Sequence, residues 1–316
     1  MQTQLDRPIK LNQPSVLFEI AHGASLTHIA NQMRDAGWLE NDLYPLLEAR
    51  RLNISSNLKA GVYEVYNGVT PRKLLNRFVK GDVKVFKITF IEGCKFSDMR
   101  ETLAQTDHLR QTIYGRDEAW ILSKIDPSLR SAEGRFFPST YYFSSGDSDL
   151  QILRRSHLRM QNILESYWAT RTLDLPYKTP MDALIMASII EKETGKAEER
   201  TQIAGVFVRR LKLGMKLQTD PTVIYGLGKI FDGNLRRMDL EKDTEYNTYT
   251  RHGLPPTPIS MPGEDSIEAA MNPAEGKFLY FVGKGDGSHA FTNTLSEHND
   301  AVRRYQLSTN RTRKDE

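Results

Sequence analysis

The sequence predicts an α+β protein in which a small N-terminal module precedes a larger, helix-rich domain with an antiparallel sheet. Three observations lead to this class. The chain has 316 residues, which is enough for two domains with separate cores. Helical apolar repeats, as in 197–213, alternate with short strand patterns, as in 61–66. Near the C-terminus, strand patterns at 278–282 and 289–292 flank a glycine-rich turn, which predicts a hairpin.

The N-terminal module is predicted over 15–82. A strand at 16–20 leads through Gly23 into a helix, a second helix is expected at 43–52, and a strand returns at 61–66. This order of elements resembles a LysM-type module, the small fold that grips N-acetylglucosamine polymers. The larger domain is then predicted to follow the module.

The larger domain is predicted over 83–308, and both ends of the chain are polar. Residues 1–14 are expected to be a structureless spacer that follows a membrane anchor missing from this sequence. Residues 309–316 are expected to be a polar tail. No run approaches the roughly 18 consecutive apolar residues of a membrane-spanning helix.

Charge and cysteine content exclude several classes of protein. The net charge is only +3 and the basic residues are dispersed, so no nucleic-acid partner is expected. Cys94 is the single cysteine, which excludes a disulfide within the chain and a cysteine-based zinc site. The histidines are scattered and no HExxH motif is present, so neither a metal nor another cofactor is predicted.

The most informative residue is Glu191, at the end of a predicted helix. Thr179 and Pro180 suit the start of that helix, and Gly195 suits its end. The run 183–190 before Glu191 is apolar or small, and a carboxylate here also meets the negative end of the helix dipole. Both conditions disfavour ionisation, so Glu191 is expected to hold its proton at neutral pH, as a general acid for glycosidic cleavage must. The alternative is a solvated glutamate in the last helical turn.

Further polar residues are expected to line a sugar-binding cleft beside Glu191. Their hydroxyl, amide, carboxylate, imidazole and ring groups suit a sugar, and the candidates are Gln218, Asp220, Tyr225, Asn247, Tyr249 and His289. Structural alternatives stay open, because Asp220 can cap a helix, Gln218 can shape a turn, and His289 can be a satisfied structural histidine. Glu193, two residues after Glu191, should point away from the cleft on a helix.

Three blocks of sequence carry a family resemblance: ASIIEKET at 187–194, QTDPTVIYG at 218–226, and YNTYT followed by GLPP within 246–256. With Glu133-Gly134 in mid-chain and the C-terminal hairpin and last helix, they resemble the YceG-like family, the MltG endolytic murein transglycosylases. Ser139 departs from the family pattern, which commonly has Asp there. Serine can make the same turn or cap, so the resemblance stands.

The resemblance implies a single-pass enzyme of the cytoplasmic membrane with its catalytic part in the periplasm or outside the membrane. It implies endolytic cleavage between N-acetylmuramic acid and N-acetylglucosamine in nascent peptidoglycan strands, leaving 1,6-anhydro-N-acetylmuramic acid ends. It also implies contact with peptidoglycan synthases, the penicillin-binding proteins. The family's catalytic glutamate falls on Glu191. One carboxyl suits this chemistry, because Glu191 can protonate the leaving oxygen and then accept the proton of the muramic 6-hydroxyl.

Two other functions stay open. The first is a lysozyme-like hydrolase in which Glu191 works with Asp220 or Glu198. The second is a non-catalytic peptidoglycan-binding scaffold that acts through its N-terminal module. Product masses separate the enzymes, because hydrolysis adds one water. The scaffold predicts that Glu191→Gln leaves the cell-wall phenotype unchanged.

Overall fold

The computed structural model describes residues 4–41, 46 and 57–307. Contacts divide the chain into two compact units. The first contains Met1–Ile88, Thr106–Thr112 and Tyr141–Asp149, and the second contains Thr89–Gln105, Ile113–Thr140 and Leu150–Glu316. The described residues mix helices with small two-stranded sheets, so the predicted α+β class is confirmed. The domain boundaries near residues 15, 83 and 309 stay predictions.

The first unit is built on short strands and two helices. Its elements are β1 (Ser15–Ile20), α1 (Leu26–Asp35), β2 (Gly61–Tyr66), α2 (Pro71–Lys80), β3 (Val85–Thr89) and β4 (Thr140–Ser144). β1 and β2 are antiparallel, with Ser15 opposite Tyr66, and β3 pairs with β4. Thr70 caps α2 ahead of Pro71 because its side chain accepts the Lys73 N–H. The core between β1, α1, β2 and α2 is apolar and includes Phe18, Ile29, Met33, Tyr63, Leu74 and Phe78.

The N-terminal segment belongs to this core. Leu5 and Ile9 are buried, and Ile9 exchanges backbone hydrogen bonds of 2.8 Å with Gly68 and Val69. The prediction of a structureless spacer is therefore wrong for residues 4–14. The helix predicted at 43–52 lies, apart from Leu46, outside the described residues, and the likeness to a LysM module stays a prediction.

The rest of the chain is mainly helical. Its helices are α3 (Phe96–Ala104), α4 (Glu118–Ile125), α5 (Asp149–Ala169), α6 (Pro180–Glu193), α7 (Ala197–Lys212), α8 (Asp220–Leu227), α9 (Arg237–Glu241), α10 (Glu264–Met271) and α11 (Leu295–Val302). In the described part, no helix combines the length and the apolar character needed to cross a bilayer.

Helix α6 is the centre of the second unit. Every side chain from Ala183 to Ile190 is buried, so the helix is surrounded by protein, with α7 and α10 against it. Thr179 caps the helix as predicted, because its hydroxyl accepts the Asp182 N–H at 3.3 Å. The helix ends at Glu193, so Glu191 and Glu193 both lie in its last turn.

The predicted antiparallel sheet of the larger domain is a two-stranded hairpin. β5 (Tyr280–Gly283) pairs with β6 (His289–Thr292), so that Gly283 faces His289. The first strand begins two residues later than the sequence pattern predicts. Arg209 of α7 fixes the chain before it, since its guanidinium donates to the carbonyls of Phe278 and Ala274 at 2.8 and 2.9 Å.

Candidate active site

A cleft of about 510 Å³ opens at the end of α6, where the chain after α7 meets the C-terminal hairpin and α11. Four of the predicted sugar-contacting residues line it, namely Gln218, Asp220, Tyr249 and His289. The carboxyl that α6 contributes to this lining is that of Glu193 and not that of Glu191. Within 4–41, 46 and 57–307, no three His, Cys, Asp or Glu side chains are grouped so that they could hold a metal ion.

Glu193 is held at the cleft by Thr219. The Thr219 hydroxyl donates to Glu193 Oε1, and the Thr219 N–H donates to the Thr248 hydroxyl at 3.1 Å. Burial raises the pKa of Glu193 to about 7, although the Thr219 bond opposes this rise. Nearby Asp220 raises the same pKa, and Arg210 lowers it. Near neutral pH the group therefore exists in both protonation states, which suits a general acid.

Glu191 accepts hydrogen bonds from the start of another helix. Its Oε2 accepts the Gly263 N–H at 3.0 Å and the Ser266 hydroxyl at 2.7 Å, which are donors at the N-terminus of α10. Its Oε1 lies 3.9 Å from Arg200 Nη2, and the side chain is 7% exposed. The apolar surroundings predicted for this carboxylate are thus replaced by two donors and a cation. These contacts give Glu191 a structural role, since they satisfy one free amide and one hydroxyl at the start of a helix.

The prediction that Glu193 points away from the cleft is wrong. Two residues along a helix differ by about 200° in direction, so the expected opposition of Glu191 and Glu193 holds. The predicted positions of the two residues are exchanged. Helix α10 covers the side of α6 that carries Glu191, and the cleft opens on the side that carries Glu193. The structure therefore does not support Glu191 as the acid.

Gln218 lies in the turn that precedes α8, and Asp220 is the first residue of that helix. Thr219 is the N-cap residue of α8, so the capping alternative for Asp220 is wrong. Asp220 Oδ1 instead accepts the Tyr249 hydroxyl at 2.6 Å. Burial and this bond raise the pKa of Tyr249, so its phenol keeps its proton. Gln218 has a φ of 51°, in the left-handed region, so it shapes the turn as well as lining the cleft.

His289 is both bound and placed at the cleft. Its Nδ1 lies 2.6 Å from Oε2 of Glu199, at the start of α7, and its backbone N–H donates to Oε1 at 3.0 Å. His289 therefore has a structural partner on Nδ1 and also lines the cleft. Glu198, one residue earlier, is exposed and lies outside the cleft lining, so it is not a partner for Glu193.

Tyr225 and Asn247 do not line this cleft, contrary to expectation. The Tyr225 hydroxyl donates to buried Glu133 at 3.1 Å. Asn247 is fully buried, and its amide donates to the carbonyls of Leu240 and Lys242 at 3.0 and 2.7 Å. Their polar groups are consumed inside the fold, and they hold the loops around the cleft.

Arg210 is a cleft residue that the sequence did not reveal. It is 7% exposed, and its Nε and Nη1 donate to the carbonyls of Leu279 and Leu217, both at 2.7 Å. Its guanidinium lies 5.0 Å from the ring centroid of Tyr280. In sequence it is only a basic residue in the last turn of α7, a common helix-end charge, so no signal separated it from Lys212.

Comparison with known proteins gives one family. A model of the YceG-like family matches residues 18–304. The endolytic murein transglycosylase of Bacillus subtilis (strain 168) is 33% identical over 95% of this chain and 88% of its own length. That of Streptococcus pneumoniae (strain D39) is 27% identical over 93% of this chain and 59% of its own length. A crystal structure of a YceG-like protein from Listeria monocytogenes is similar with a TM-score of 0.57 and 30% identity, over 90% of this chain and 98% of that one.

Proposed function

Because the chain belongs to the YceG-like family, we propose that it is an endolytic murein transglycosylase with Glu193 as its general acid. It cleaves the bond between N-acetylmuramic acid and N-acetylglucosamine in nascent peptidoglycan strands and leaves 1,6-anhydro-N-acetylmuramic acid ends. The observation that carries the choice of acid is a carboxyl group with a pKa of about 7 in the cleft.

The reaction begins with the proton of Glu193. It passes to the glycosidic oxygen as the bond from that oxygen to the anomeric carbon breaks. The 6-hydroxyl of the same muramic residue then bonds to the anomeric carbon and gives up its proton. The nucleophile is already attached to the sugar, so its high effective concentration replaces a second carboxylate or an activated water. Without a second base in the cleft, the Glu193 carboxylate accepts this last proton.

The other cleft residues support the proposal by their chemistry. The Gln218 amide can exchange hydrogen bonds with N-acetyl groups, and the joined Asp220 and Tyr249 offer acceptors to sugar hydroxyls. Arg210 adds a positive charge that favours the Glu193 carboxylate after it has lost its proton.

The proposed substrate requires the catalytic part to act outside the cytoplasmic membrane. A single-pass anchor in that membrane, and contact with peptidoglycan synthases, are proposed from the family resemblance.

The test compares Glu193→Gln with Glu191→Gln on purified, uncrosslinked glycan strands. We expect Glu193→Gln to reduce anhydro product by at least about 100-fold, because the amide cannot donate an acidic proton. Glu191→Gln should keep the activity, because the amide oxygen can still accept from α10. Loss of activity in Glu191→Gln alone, with both proteins folded, would contradict the proposal.

A lysozyme-like hydrolase is the second candidate, and one observation favours it. Asp220 lines the same cleft as Glu193 and lies close enough to raise the pKa of Glu193. Such a carboxylate can activate a water molecule, which then attacks the anomeric carbon in place of the muramic 6-hydroxyl. Digestion in ¹⁸O-labelled water separates the two activities. A transglycosylase gives unlabelled anhydro ends, whereas a hydrolase gives labelled reducing ends that are heavier by one water.

A further inference from the structure

Glu199 holds His289 at two points. The ring and the backbone of His289 each meet one oxygen of the carboxylate, at 2.6 and 3.0 Å. The ring also meets Phe281 edge-on, with centroids 5.4 Å apart and planes at 87°. The orientation of the imidazole is therefore fixed before any substrate binds, as it is in catalytic histidines that a carboxylate orients.

The pair also decides which ring nitrogen carries the proton. Burial alone would raise the pKa of Glu199, but the hydrogen bonds from His289 outweigh burial and lower it. An ionised carboxylate can only accept, so Nδ1 is the ring nitrogen that donates; in the neutral imidazole the lone pair is then on Nε2. Among the residues that the structure describes, Nε2 has no hydrogen-bond partner.

His289 and Glu193 line the same cleft. The side chain of His289 is only 13% exposed. A base and an acid that face one substrate can divide two proton transfers between them, whereas Glu193 alone must first donate and then accept.

We propose that His289, oriented by Glu199, is a second catalytic residue that accepts the proton of the muramic 6-hydroxyl. This rests on the proposed transglycosylase function. The O6–H bond breaks and its proton moves to Nε2, while O6 bonds to the anomeric carbon. The bond from that carbon to the leaving oxygen breaks, its electron pair stays on the oxygen, and Glu193 supplies the proton. Proton exchange with solvent then restores both residues, and no further reactant is consumed.

His289→Asn is the first test variant, because an amide nitrogen can still donate to Glu199 while the Nε2 base is gone. We expect kcat for anhydro product to fall by about 100-fold with KM little changed. Glu199→Gln should lower kcat by about tenfold, because a neutral amide orients the ring but makes it a weaker base. Glu198→Gln is the matched control, since this neighbour is exposed outside the cleft, and it should behave like the wild type.

His289→Ala distinguishes a catalytic role of His289 from a purely structural one. Added imidazole should restore part of its kcat, because the free base can occupy the space that the ring leaves. The inference is overturned if His289→Asn keeps the wild-type kcat. It is also overturned if imidazole restores nothing to a folded His289→Ala protein whose defect lies in KM. Failure of the proposed function is distinct, because the wild type itself would then form no anhydro ends.

Discussion

The hydroxyl of Thr219 donates to the carboxylate of Glu193, and this bond joins the end of α6 to the start of α8. Thr219 is 1% exposed, so water has little access to replace the bond. The bond lowers the pKa of Glu193, which burial raises, so Thr219 limits how far this pKa departs from that of an ordinary glutamate.

Thr219→Val tests this relationship. The variant keeps the shape of the side chain and removes the hydroxyl, so the pKa of Glu193 should rise above 7. Since the acid must be protonated to act, the alkaline limb of the kcat/KM profile should move to higher pH. Thr250→Val is a control, because that hydroxyl binds Asp243 outside the cleft lining, and its limb should stay in place. A limb that moves to lower pH in Thr219→Val would contradict the assignment.

Glu191→Ala should act on stability. Two donors at the start of α10 lose their acceptor, and we expect the free energy of unfolding to fall by about 1–3 kcal/mol. The protein that remains folded should still form product. Urea unfolding and initial rates below the midpoint measure the two effects, and a large loss of rate without a loss of stability would count against the structural role.

Glu133 should make stability depend on pH. Burial raises its pKa from 4.5 to about 7, with Phe96 N–H and the Tyr225 hydroxyl donating to it. Between these two values the folded protein holds a proton that the unfolded chain has released, so stability falls as pH rises from about 4.5 through 7. Glu133→Gln should reduce the loss of unfolding free energy between pH 5 and pH 8 by up to about 3 kcal/mol. Equal pH slopes in variant and wild type would contradict this expectation.

Substitution of Gly205 should destabilise the protein, whereas substitution of Gly195 should have little effect. A Cβ at Gly205 would lie 2.4 Å from the carbonyl oxygen of Ala274, a backbone atom that cannot swing aside. Gly205→Ala should therefore destabilise the protein by about 1–3 kcal/mol. A Cβ at Gly195 would meet nothing within 4 Å, so Gly195→Ala is the matched control. Thermal unfolding of the two variants makes the comparison, and a stable Gly205→Ala would show that the chain there can relax.

Features that depend on a few neighbouring residues could be predicted from the sequence. Thr179 caps its helix as expected, because the cap needs only an amide three residues away. The C-terminal hairpin follows in the same way from alternation and a glycine-rich turn. Four of the six sugar-contacting candidates also lie in one cleft, since the blocks that contain them meet at the end of α6.

The choice between Glu191 and Glu193 as the proposed acid depends on distant residues and could not be made from the sequence. Helical geometry gives opposite directions to Glu191 and Glu193, but only the packing of α10 decides which side is closed. Asn247 differs, because its amide meets the carbonyls of Leu240 and Lys242 nearby in the chain, but its complete burial depends on the tertiary structure. Burial of a whole loop is a property of the tertiary structure and leaves no local pattern.

The last turn of α6 uses both of its sides, because Glu191 binds the start of α10 and Glu193 binds Thr219 at the cleft. An α-helix advances by about 100° for each residue. One residue inserted between 183 and 190 would therefore rotate Glu191 away from α10 and Glu193 away from Thr219 in the same step. The length of this segment is under tighter constraint than its composition: exchanges among apolar residues can be accommodated there, but an insertion or deletion cannot.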